Sequence, residues 1–218
     1  MRLPTMARPS LTLFTMMAVG GMLLTACAGD ATAPRANPAV SSQARTSPFV
    51  PTDAQKALIG IGDGTYTLKF DPNTNQQFTL GANHLALPAH SVCKLDGSSG
   101  YGAAFWNQSC VPETDSVSIS VRITDAATDH PRMDFYPAMR FNPETNVSLY
   151  IYVPVGTDDF AKNWVMKYCN DVGTCVNEAE TDLSLGSFID RTNAVVFRRI
   201  KHFSGYIVLN LLDQLPPL

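Results

Sequence analysis

Short runs in which apolar and polar side chains alternate, or β-branched residues crowd together, recur along this chain between turn-forming residues. They span residues 66–70, 77–80, 84–87, 117–124, 132–136, 147–153, 164–169, 194–200 and 205–211. A period of two turns one face of each run toward a core and the other toward water, which is the signature of a strand. Asp71-Pro72-Asn73-Thr74-Asn75 and Asp190-Arg191-Thr192-Asn193 carry side chains that close turns on their own backbone. Pro72, Pro88, Pro112, Pro137, Pro143 and Pro154 are expected at strand ends or edges, because proline brings no N–H to a ladder. Only residues 53–59, with Thr52 or Asp53 as cap, read as helix. Every alternating strand needs a second layer over its apolar face, so the predicted fold is all-β: an antiparallel β-sandwich with a short N-terminal helix.

Ahead of this region the chain reads as an address. Arg2 and Arg8 flank a start without acidic residues, and residues 11–24 are apolar apart from Thr12 and Thr15, the layout of an export signal. Leu24-Thr25-Ala26-Cys27 closes the run and resembles the lipobox of bacterial lipoproteins. That resemblance implies a diacylglyceryl group on the Cys27 sulfur, cleavage between Ala26 and Cys27, and a further acyl group such as palmitate on the new amine. Several acyl chains, at roughly 0.8 kcal/mol per buried methylene, hold a protein to a membrane without a spanning helix. The competing readings are an ordinary cleaved signal and an uncleaved helix, but a spanning helix needs about 20 apolar residues and this run is shorter. Ala28 and Gly29 after the cysteine imply outer-membrane delivery in a diderm cell.

Loss of Arg2 and Arg8 with the leader leaves 14 basic against 19 acidic side chains and moves the net charge from −3 to −5. An acidic balance argues against a nucleic-acid partner, since phosphate-backbone binding needs clustered cations. Arg198-Arg199 with Lys201 reads as the solvated face of a strand rather than a nucleic-acid patch. Residues 28–50 are poor in large apolar side chains and read as a disordered tether. The plan is therefore a signal peptide at 1–26, a lipidated cysteine and tether at 27–50, and one domain at 51–218.

Cys93, Cys110, Cys169 and Cys175 are an even set in an exported chain, where oxidation is permitted. Of the three possible pairings, Cys93 with Cys110 and Cys169 with Cys175 is preferred, because each encloses a loop rich in Gly, Asn or Asp. Zinc is the competing reading, but neither spacing is a Cys-x-x-Cys knuckle.

A series of short motifs then runs through the domain: Leu85-Ala86-Leu87-Pro88-Ala89, Val117-Ser118-Ile119-Ser120-Val121, Phe135-Tyr136-Pro137-Ala138-Met139-Arg140-Phe141, Val147-Ser148-Leu149-Tyr150-Ile151, Trp164 and His202-Phe203-Ser204-Gly205-Tyr206. In this order they resemble the ZU-five family, the β-sandwich module shared by ankyrins, netrin receptors and tight-junction scaffold proteins. The likeness covers roughly residues 65–211. It departs where His90-Ser91 replaces the glycine usual after the Pro-Ala step and where the cysteine-bounded loop is added. The resemblance implies a non-catalytic scaffold that presents loops and sheet faces to other proteins. It also implies a second use of His202, Phe203 and Ser204, because some members cut themselves between Phe and Ser in a similar motif. Serine needs help from a base or from strain to act as a nucleophile at neutral pH. The plainer reading has Phe203 and Tyr206 in the core, with His202 and Ser204 bonded locally near a strand bend.

Tyr101, Phe105 and Trp106 in the cysteine-bounded loop are candidate binding residues for protein or glycan, unless the loop folds back over the sandwich. His84, His90, His130 and His202 are scattered without metal-ligand spacing. Asp158-Asp159, Asp171, Glu178, Glu180 and Asp182 could offer oxygens to calcium only if their loops converged, and solvated loops are the expectation. No nucleophile elbow, phosphate loop or dinucleotide glycine pattern is present. The sequence thus predicts a lipid-anchored envelope module for protein recognition or scaffolding, without cofactor or metal. Self-processing and glycan binding are the alternatives.

Overall fold

The computed structural model describes residues 43–45, 47–52, 62–154 and 163–211. The leader expected ahead of Cys27, Cys27 itself, the helix expected at 53–59 and Asp158-Asp159 lie outside the described residues. The described strands in chain order are β1 (Gln43–Ala44), β2 (Gly64–Phe70), β3 (Gln76–Leu80), β4 (Asn83–Leu87), β5 (Val117–Thr124), β6 (Arg132–Arg140), β7 (Ser148–Tyr152), β8 (Trp164–Cys169), β9 (Cys175–Val176), β10 (Phe188–Asp190), β11 (Val195–Arg199) and β12 (His202–Asn210). They build two six-stranded sheets, ordered β1-β10-β11-β7-β4-β3 and β2-β5-β6-β12-β8-β9. Apart from the parallel β1–β10 pair, the neighbours run antiparallel. The fold is an all-β sandwich.

Alternation explains the layers. In β5, Val117, Ile119, Val121 and Ile123 are buried while Ser118 and Arg122 face water. These inward residues join Leu85, Leu87, Leu149, Ile151 and Val196 of the other sheet in one core. Each large aliphatic side chain removed from water contributes roughly 1.5–3 kcal/mol.

Three expectations are corrected. Pro137 lies inside β6 rather than at a strand end, because the pairing with β5 stops at Tyr136 and the pairing with β12 skips this stretch, so no ladder bond is forfeited. The last strand starts at His202, ahead of the expected Gly205, which puts the His-Phe-Ser motif within the sheet. Residues 43–45 and 47–50, within the stretch expected to be tether, meet the sandwich. Arg45 N–H donates to Ile189 O at 3.0 Å, buried Ser47 donates its N–H to Asp190 Oδ2 at 2.7 Å, and Phe49 stacks on His84 with 4.3 Å between ring centroids. One large ring and an open strand edge suffice to order a stretch that composition alone reads as loose.

Both disulfides have the preferred pairing, Cys93–Cys110 and Cys169–Cys175. The second pair are direct partners across the β8–β9 hairpin.

Candidate functional site

Strand alternation sends His202 and Ser204 to one side of β12 and Phe203 to the other. Phe203 enters the core, stacked on Phe135 at 4.6 Å and edge-on to Phe141 at 4.7 Å. Its two neighbours meet each other, with His202 Nδ1 2.9 Å from Ser204 Oγ. A bulge lies at this point: Phe203 pairs with Met139 and Gly205 with Asp134, so residues 135–138 of β6 all oppose Ser204.

Glu178 stands behind the imidazole. It opens a short 3-10 turn, Glu178–Glu180, capped by the Asn177 side chain, which accepts from the Ala179 N–H. Glu178 Oε1 is 2.9 Å from His202 Nε2, and Oε2 accepts from the Arg198 guanidinium. Arg198 also donates to the Met166 carbonyl of β8 at 2.9 Å, bridging the two sheets, and faces the Tyr206 ring at 5.6 Å. Burial alone would push the Glu178 carboxyl up. The hydrogen bond from His202 and the charge of Arg198 outweigh it and hold the group below the usual glutamate value. An ionised Glu178 takes the Nε2–H, which assigns the lone pair of a neutral His202 to Nδ1, facing Ser204. Tyr206 donates its hydroxyl to the His202 carbonyl at 2.7 Å and fixes the backbone beneath the ring.

The loop closed by Cys93–Cys110 covers this cluster. Trp106 stacks on the His202 imidazole at 4.1 Å, and Tyr168 of β8 meets the same ring edge-on at 4.7 Å. The Tyr101 hydroxyl donates to the Phe203 carbonyl at 2.9 Å. Burial, with Tyr168 beside it, pushes that hydroxyl up to about 12, so it keeps its proton at neutral pH. Arg140 of β6 clasps the loop by donating to the carbonyls of Ser99, Phe105 and Gln108. Two cavities flank the cluster. One of about 340 Å³ touches Glu178, Asp182, Lys201 and Trp106, and one of about 150 Å³ touches Tyr101, Met139, Arg140 and Lys94.

The structure brings together His202, Phe203, Ser204, Tyr101 and Trp106. It does not gather the acidic residues: Glu178 pairs with Arg198 and His202, Asp182 pairs with Lys201, and Asp171 and Glu180 face water. Glu178 is therefore no solvated loop acid. Arg198 and Lys201, expected on a solvated strand face, are buried and ion-paired instead. Arg198 shares the inward face of β11 with Val196, and period-two reading alone would have placed it there. Glu178 and Tyr101 carry no such signal, since they reach the motif from 24 and 102 residues away. Phe105 is partly exposed and packs against Gly100, which has positive φ and no room for a Cβ. Among the described residues, no group of three His, Cys, Asp or Glu side chains is arranged to hold a metal ion. No family model, curated protein or solved structure matches this chain.

Proposed function

We propose that this chain is an exported, lipid-anchored β-sandwich that cuts its own backbone between Phe203 and Ser204 and works in the envelope as a recognition or scaffold module. The observation that carries the cleavage is the contact series Ser204–His202–Glu178, a hydroxyl on a base on a carboxylate. Ser204 Oγ needs no docking step, because closure on the Phe203 carbonyl carbon makes a five-membered ring. As the Oγ–C bond forms, the carbonyl electron pair moves to the Phe203 oxygen and the hydroxyl proton passes to His202 Nδ1. Collapse breaks the bond between Phe203 C and Ser204 N, and His202 returns the proton to the departing nitrogen. Phe203 is now an ester on Ser204 Oγ. Water adds to that ester, releasing a Phe203 carboxylate and restoring the hydroxyl.

Intact mass and a denaturing gel of the full chain test the cleavage. A fragment beginning at Ser204 is expected from the parent and absent from Ser204→Ala, whereas a parent chain that stays whole overturns it. Recognition without chemistry has support of its own: Val172 at the hairpin tip and Leu183 beyond it are 85% and 79% exposed, apolar groups the sandwich does not use. Glycan stacking through Trp106 is disfavoured, since that ring is committed to His202. The membrane address rests on Leu24-Thr25-Ala26-Cys27. Fatty-acid labelling lost in Cys27→Ser, and blockage by a globomycin-type inhibitor, are the expected results.

A further inference from the structure

We infer that Tyr101 is a catalytic residue for this cleavage, holding the oxyanion that forms on Phe203, and that the Cys93–Cys110 bond speeds processing because Tyr101 rides on the loop which that bond closes. The assignment rests on self-cleavage at Phe203–Ser204 and adds a condition to it.

The scissile carbonyl already carries a side-chain donor, the Tyr101 hydroxyl at 2.9 Å from Phe203 O. Attack by Ser204 Oγ places an electron pair on that same oxygen. A fixed donor there gains strength as charge develops, which lowers the barrier rather than merely binding the ground state. Tyr101 gives a hydrogen bond and keeps its proton, so the proton traffic stays among Ser204 Oγ, His202 Nδ1 and Ser204 N.

No strand holds Tyr101 in place. Residues 94–109 form turns, bends and irregular backbone without strand or helix, and Gly97, Gly100 and Gly102 take positive φ. The loop is fastened at its neck by Cys93–Cys110 and across its middle by Arg140. The three acceptors on Arg140 are carbonyls rather than a carboxylate, so the clasp keeps a cation out of water without an opposing charge. The covalent neck is what limits the conformations open to the undocked loop. Its formation takes two hydrogens from Cys93 and Cys110, and a disulfide oxidant such as oxidised glutathione is reduced to two thiols. His202, Ser204 and Glu178 lie outside the loop and are present in the reduced chain, which lacks only a firmly held donor on the carbonyl. Export into an oxidising compartment then speeds processing.

Cell-free translation of the full chain, with reduced or with oxidised glutathione, tests this by the rate at which the fragment beginning at Ser204 appears. The oxidised parent is expected to cleave. Cys93→Ser with Cys110→Ser, or the reducing mixture, is expected to slow cleavage roughly 10-fold. Tyr101→Phe, which keeps the ring and the disulfide, is expected to slow it on the order of 10²-fold with unchanged melting temperature. Hydroxylamine, which opens esters, leaves Tyr101→Phe slow if the hydroxyl acts in the acyl shift. Restoration of the rate by hydroxylamine overturns that assignment. If the oxidised parent cleaves and Tyr101→Phe, the serine pair or the reduced parent keeps its rate, self-cleavage stands and this inference falls. If the oxidised parent stays whole, self-cleavage falls and takes the inference with it.

Discussion

The indole of Trp106 lies 4.1 Å from the imidazole of His202, centroid to centroid and 19° from parallel. His202 is fully buried, yet part of what buries it is a turn-rich loop rather than a sheet. The cover is consequently only as firm as the attachments of that loop, among them one disulfide, the Arg140 clasp, the Tyr101–Phe203 and Ser109–Glu144 hydrogen bonds and the Lys201–Asn107 contact.

Trp106→Ala removes the stacked ring and opens the imidazole to water. The expected loss is about 2 kcal/mol, from burial and ring stacking together, read as a lower urea midpoint at unchanged slope. Hydrogen exchange should rise at the Phe105 and Gln108 amides, whose turn bonds flank Trp106 in the chain.

Glu178→Ala strands a guanidinium whose side chain is 0% exposed. Removing one partner of a buried ion pair costs roughly 3–5 kcal/mol, whereas replacing both with apolar groups of similar size is often close to neutral. Glu178→Leu combined with Arg198→Met is therefore expected to unfold at higher denaturant than Glu178→Ala alone. A double variant less stable than the single one would mean that the charges specify the packing here.

Acid should weaken the fold through the same corner of the molecule. Burial opposes ionisation of Asp182, but the hydrogen bonds from Lys201 and Ser184 override it and take the group from 3.8 to about 2. Glu178 is depressed as well. With folded values below unfolded ones, the unfolded chain takes up protons first as pH falls. The stabilisation is thus complete above about pH 4.5 and drains toward pH 2. Melting temperatures from pH 7 to pH 2 check this, and Asp182→Asn should flatten the lower part of the curve.

The strands were legible where a regular pattern ran between turn signals: β5, which alternates without a break, and β8, whose first three residues are apolar and buried in a row, begin and end at the residues marked in the sequence. β1, β9 and β10 were not, because two or three residues cannot display a period. Loop composition was enough to pair the cysteines. Within the site, His202, Phe203 and Ser204 were visible as a motif, since their relation is local. Glu178 was hidden in an acidic stretch that reads as solvated, and its burial depends on Arg198 arriving from the opposite sheet. Arg198 itself obeyed the strand period. Its charge argued for solvent, and a carboxylate, two carbonyls and a tyrosine face decided for the interior.

The two disulfides should differ in worth. Loop-closure entropy predicts about 3 kcal/mol for Cys93–Cys110, with a sequence separation of 17, and about 2 kcal/mol for Cys169–Cys175, with a separation of 6. Paired serine variants compared by denaturant unfolding check the order. A larger loss at Cys169–Cys175 would mean that the β8–β9 hairpin depends on its bond more than chain entropy requires.

Gly205 sits where β12, just past the bulge in β6, brings its backbone against a fixed carboxylate. A Cβ there would lie 2.5 Å from Asp134 Oδ1 and 3.0 Å from the Cys169 carbonyl. Asp134 has little freedom to retreat, because Arg132 holds both its oxygens, with Nε at 2.9 and 3.0 Å and an amino nitrogen at 2.8 Å. Gly205→Ala must therefore break the Arg132–Asp134 pair or push β12 away from β8, at a cost of about 1–3 kcal/mol. The neighbouring residue is Ser204, so the same displacement should lengthen the Ser204–His202 contact and, if the proposed self-cleavage holds, slow release of the fragment beginning at Ser204. Gly205→Ala with Asp134→Ala removes the nearest obstacle and is expected to recover stability. A double variant no more stable than Gly205→Ala would place the conflict at the Cys169 carbonyl and the Arg132 guanidinium instead. Urea midpoints for the parent, both single variants and the double, together with the cleaved fraction of each, separate the two outcomes.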